Sequence, residues 1–187
     1  MLGTMRILAI YCLLGVVAAV AQDSKPETAA VSEPEFSDVF YRLDAGKLMP
    51  LERQTANVHG RAKGFIVMTM KTTSEFPGAK SPVRFHAGET LEFVVRSGFA
   101  ASTLDPNTIY CLRKLEAKRH KRELVTMAGH ASPLGASMNR NLAQGVLPVN
   151  FARYGASSIR LISGVLARGE YALGLVHAQT MFCFGVD

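Results

Sequence analysis

The stretch SPVRFHAGETLEFVVR, residues 81–96, decides the fold class. Val83 and Phe85 point one way, Ala87-Gly88 makes a turn, and Leu91, Phe93 and Val95 form a two-residue repeat opposite Glu92 and Arg96. That alternation marks a strand with one face on a core and one toward water.

The same grammar extends in both directions. VFYRLDAGKLMPLERQ (39–54) reads as a hairpin turning at Asp44-Ala45-Gly46-Lys47, with Gly46 supplying a positive φ. GRAKGFIVMTMKTT (60–73) reads as one long strand over 63–72, apolar on both faces and therefore central, before Pro77-Gly78 breaks the chain. VLPVNFARYG and SSIRLIS supply two later strands. Arg168-Gly169 turns into a strand over 171–176, and TMFCFGVD closes the chain. Residues 130–145, rich in Gly, Ser and Asn, read as a long loop.

The segment LEAKRHKRELV (115–125) admits a helix, with Asp105 as N-cap, Pro106 at the first position and Gly129 as terminator. Between Glu116 and Glu123, however, only Ala117 is apolar, so two helical turns would have nothing to pack. A hairpin fits better: 109–115 going out, 124–128 returning, and a solvent-facing cationic turn between them. About eight or nine short strands joined by tight turns predict an all-β, antiparallel two-sheet sandwich of immunoglobulin-like type. A small barrel has the same periodicity.

Taken together, FYRLDAGKLMPLERQ, GAKSPVRFHAGETLEFVVR, LEAKRHKRELV, VLPVNFARYGASSIRL and the ending GEYAL followed by FCFGVD resemble a group of small exported bacterial proteins of unknown function. The resemblance spans most of residues 36–187 and implies an exported bacterial β-sandwich, with no activity or cofactor attached. It departs from those sequences at His120, where they tend to carry a turn residue such as Gly.

Export is also read from the N-terminus. Arg6, an apolar run from Ile7 to Ala21 and the small residues Ala19 and Ala21 follow the order of a signal peptide over 1–21. The run is shorter than the roughly 20 residues of a membrane span. Residues 22–35 read as a flexible tether and 36–187 as one domain. Cleavage removes Arg6 and leaves a net charge of +5 on 166 residues, basic but moderate. Cys111 and Cys183 remain, in a compartment where a disulfide between them could persist or where both could be buried thiols.

No catalytic residue emerges. There is no G-x-S-x-G elbow, and Ser157 in YGASSIR has Ile159 where the closing Gly belongs. The five histidines are dispersed without metal-ligand spacing, and Glu89 and Glu92 are ordinary strand carboxylates, so no metal or other cofactor is expected. The Gly-rich segment 129–145 lacks the Lys of a phosphate loop. The remaining candidate is the cluster Lys118, Arg119, Lys121 and Arg122, which could dock on anions: an anionic envelope polymer, lipid head groups or another envelope protein. Export and the scarcity of aromatics near the cluster, only Phe99 and Tyr110, argue against nucleic acid. The sequence thus predicts a non-catalytic envelope module, periplasmic or extracellular, with an exported hydrolase assembled from dispersed residues as the alternative.

Overall fold

The computed structural model describes residues 32–98, 105–139 and 145–187. The expected signal peptide and residues 22–31 of the tether lie outside the described residues, as does Phe99. The first half contains β1 (Phe40–Asp44), β2 (Lys47–Pro50), β3 (Glu52–Thr55), β4 (Asn57–Lys63), β5 (Met68–Pro77), β6 (Arg84–Phe85) and β7 (Thr90–Arg96). The second contains a short helix α1 (Pro106–Ile109), then β8 (Tyr110–Ala117), β9 (Lys121–Ser132), β10 (Gly135–Asn139), β11 (Val146–Leu147), β12 (Val149–Tyr154), β13 (Ser158–Val165), β14 (Gly169–Leu175) and β15 (Thr180–Val186). The chain is all-β, as its alternation predicts, with nearly twice the expected number of strands.

These strands form two sheets. A five-stranded antiparallel sheet runs β12-β13-β7-β1-β2. The larger one runs β3-β15-β14-β8-β9-β5-β4, with β10 on β9, β11 on β8 and β6 parallel on β15. Its end strands, β3 and β4, are separated in the chain by Ala56 alone, so the sheet must curl back on itself, and it forms a half-barrel. Strands β8, β14 and β15 are buried on both faces because they lie between the five-stranded sheet and the inside of that curl. Tyr110, Leu112, Tyr171, Leu173, Phe182 and Phe184 face one core together with Phe40, Leu91, Phe93 and Leu161. Cys111, Leu115, Ala172, Met181 and Cys183 face the other, against Phe76 and Leu124. Near-continuous apolar strings such as FCFGV are what two-sided burial requires.

The β1–β2 hairpin turns where expected, with Asp44 opposite Lys47 and positive φ at both Ala45 and Gly46. Two expectations are corrected. The run 63–72 is not one central strand: β4 ends at Lys63, β5 begins at Met68, and Gly64–Val67 is the turn between them. Gly64 has φ +112°, and a Cβ there would lie 1.9 Å from the Val67 carbonyl oxygen, so only glycine fits. Nor is 130–145 wholly a loop, because β9 runs to Ser132 and pairs with β10 from Gly135. Asp105 and Pro106 do start a helix, which stops at Ile109, where alternation takes over.

The last tether residues are anchored: the Pro34 and Glu35 carbonyls accept from Arg96, and Glu33 is held more firmly. Glu33 accepts from the Ala156 and Ser157 amides and from the Ser157 and Ser158 hydroxyls, at 2.5–3.0 Å. The Ser158 and Ser157 hydroxyls do most to hold its carboxyl down at about 2. The folded value lies below the ordinary 4.5, so the tie is fully formed above pH 4.5 and is lost as pH falls toward 2. A ¹³C titration of the Glu33 carboxyl should show that midpoint, with the Ala156 amide moving in step; a midpoint near 4.5 would mean the tie is absent in solution.

Candidate functional site

The cationic segment forms the predicted hairpin, but its strands stay together only at the tip, where Glu116 pairs with Glu123 and Ala117 with Arg122. Beyond that, β8 continues along β14 while β9 continues along β5. The alternation of β9 therefore divides the cluster. Lys121 and Glu123 stay near the surface, whereas Arg122 turns into the half-barrel and is 0% exposed. The expectation that Arg122 belongs to a solvent-facing turn is corrected by this parity.

Arg122 grips Glu52 in a two-pronged pair, Nη1 to Oε2 at 2.8 Å and Nη2 to Oε1 at 3.1 Å. Its Nη2 and Nε also donate to the Pro77 and Gly78 carbonyls at 2.8 and 3.1 Å. Glu170 lies 3.8 Å away and accepts from the Ser81 amide at 2.8 Å and from Arg84 at 2.5 Å. Arg84 in turn binds Asp187. Charges of alternating sign thus run Glu52, Arg122, Glu170, Arg84, Asp187 along the sheet. Burial pushes the Glu52 carboxyl up, but hydrogen bonds from Arg122, Ser81 and Gln54 outweigh it and leave it below the ordinary carboxylate range. Sequence reading missed Glu52, Arg84 and Glu170, which carry no motif and meet only through the curl.

Lys118 is paired with Glu116 and Glu123, and Lys121 with Glu75 and Glu123. Of the four predicted anion-binding residues, Arg119 is exposed and has no ion-pair partner among the described residues. Cys111 and Cys183 are not bridged. Strand β14 lies between them, with Gly174 opposite Cys111 and Ala172 opposite Cys183. Two strand spacings are about 9–10 Å, beyond the roughly 7 Å a disulfide spans. Burial pushes the Cys183 thiol up to about 12. Neither cysteine should react with iodoacetamide in the native chain and both should after unfolding; rapid native labelling of Cys183, read by peptide mass spectrometry, would contradict that burial.

Where β8 and β9 part, a cleft of about 530 Å³ opens over Leu115, Ala117, Leu124 and Val125. A second, of about 690 Å³, lies beside Phe36, Leu51, Leu175 and Phe182. Neither is lined by a histidine. The described Ser–His contact, Ser137 Oγ to His130 Nδ1 at 3.0 Å, joins exposed cross-strand neighbours on β10 and β9. Among the described residues no cluster of three His, Cys, Asp or Glu side chains could hold a metal.

The most distinctive surface lies at the end of the arm built from β4, β5, β9 and β10. In the β4–β5 turn Phe65 is 100% and Ile66 71% exposed, with Val67 and Met68 also open. Met68 lies opposite Ala131, so the neighbouring β9–β10 turn, with Leu134 100% exposed, sits at the same end. Arg61, Lys63 and Lys71 follow on the strands behind. Neither 57–74 nor 124–139 contains an acidic residue. The turn was detectable in principle, since Gly64 interrupts the run and Arg61 and Lys63 are costly in a central strand. Compared with known proteins, the chain matches no family model, no curated protein and no solved structure.

Proposed function

We propose that this chain is an exported, non-catalytic binding module of the bacterial cell envelope, built on an immunoglobulin-like two-sheet sandwich whose inserted β-arm is the binding element. The strand order supports the sandwich. Taking β1, β7, β8, β12, β13, β14 and β15 as strands A to G makes one sheet A-B-E-D and the other C-F-G, the constant-type immunoglobulin arrangement. Tyr171, near the start of the sixth of these, donates its hydroxyl to the Ala167 carbonyl at 2.5 Å, the corner expected there. Strands β2–β6 and β9–β11 are then insertions, and β4, β5, β9 and β10 among them make up the arm.

The observation that carries the binding role is the concentration of fully exposed apolar side chains at the end of that arm. Export rests on the signal-peptide order of residues 1–21. The test is fractionation of the producing cell. The chain recovered should begin at Gln22 and sediment with washed envelopes; an intact Met1 in the cytoplasm, or no retention on envelopes, would overturn the proposal.

A further inference from the structure

Building on the envelope-binding reading, we infer that the arm is a membrane anchor: its paired turns insert into the interface of an anionic lipid bilayer. A globular surface holds isolated apolar residues at no penalty worth explaining, but Phe65, Ile66 and Val67 are consecutive residues of one turn, and Leu134 stands in the next turn at the same end, all with their side chains open to water. They contribute to neither core of the described domain, so folding gives no reason for them.

Charge selects the occupant. Arg61 stands directly opposite Lys71, and Lys63 two residues nearer the tip. Like charges at opposed positions destabilise a β-pair; no carboxylate lies between Asn57 and Ser74 or between Leu124 and Asn139, and those that reach the pair from outside, Glu116 toward Lys71 and Glu75 toward Arg61, relieve it only in part because each already holds a lysine. The nearest on the strand, Glu75, is taken by Lys121. A second copy docking end to end would bring two such collars together. An anionic leaflet offsets the repulsion instead, strengthening binding about fivefold for each Lys or Arg near its surface. The geometry also sets the depth. The turn backbone at 64–67 lies outside the strand ladders, so it cannot enter hydrocarbon without losing its hydrogen bonds to water. The tips therefore stop at the headgroup boundary, as amphipathic surface anchors do, while the three cations remain level with the phosphates.

The chain has no tryptophan, so Phe65→Trp places a single reporter at the tip. With the chain as recovered from cells, its emission should shift to the blue on adding phosphatidylglycerol vesicles and much less with phosphatidylcholine alone. Retention on the anionic vesicles should fall with salt and drop about a hundredfold when Arg61, Lys63 and Lys71 are all replaced by Ser, three steps of about fivefold. Phe65→Ser with Ile66→Ser and Leu134→Ser should abolish it while leaving the melting temperature unchanged. An unshifted emission, or retention indifferent to the tip, would overturn the anchor. So would a dimer that the tip variant dissolves, which would make the partner a second copy. Retention on lipid-free envelope polymer without vesicle binding would reject the anchor and leave the envelope-binding reading standing.

Discussion

Replacing Arg122 with Met is expected to destabilise the protein by about 3–5 kcal/mol, the cost of breaking a buried ion pair on one side. Met matches the aliphatic stem and keeps the volume, so the loss reports the guanidinium. Four hydrogen bonds disappear, and two carboxylates, Glu52 at 14% and Glu170 at 4% side-chain exposure, lose their shared cation. Urea unfolding should show a lower midpoint with an unchanged slope. Adding Glu52→Gln should cost less than the sum of the single changes, because the unpaired charge is then gone. The single Glu52→Gln variant leaves Arg122 with two backbone carbonyls and Glu170, and should be milder than Arg122→Met. A loss below about 1 kcal/mol for Arg122→Met would mean that water reaches Glu52 and that the pair behaves as a surface one.

Phe184→Ala should be comparably damaging, about 3–5 kcal/mol, by a different mechanism: a cavity where the layers meet. The ring is fully buried and lies 5.3, 5.0 and 5.5 Å from the ring centres of Phe85, Phe93 and Tyr171. Two of those rings belong to the larger sheet and Phe93 to the smaller, so the gap cannot be closed by moving one strand. Thermal unfolding should show the loss as a lower midpoint. Val165→Ala, on an exposed position of β13, should stay within about 0.5 kcal/mol and serves as the control.

These two sites mark the limits of sequence reading. Phe184 was legible as core, because it sits in an apolar strand closing the chain. Arg122 was not: a cation amid cations reads as a wet turn, and its burial depends on which face of β9 is closed over by a sheet that bends back. The same limit explains GFIV. A continuous apolar run reads as buried on both faces, which is correct for β8, β14 and β15 because a layer lies on either side of them. It fails at residues 64–67, where Gly64 turns the chain beyond the last layer.

By itself, the sequence determined that this protein is all-β and antiparallel. Period-2 alternation in Leu91–Arg96 and the turns at Asp44–Lys47, Pro77-Gly78 and Arg168-Gly169 are local properties, set by side-chain direction and allowed backbone angles. Tertiary structure decided the rest. It brought Glu52 to Arg122 across 70 residues, kept Cys111 and Cys183 a strand apart, and left Phe65 and Leu134 in water. Each of those outcomes depends on which strands become neighbours, and neighbour choice is made by the curl of the larger sheet rather than by any residue's own preference.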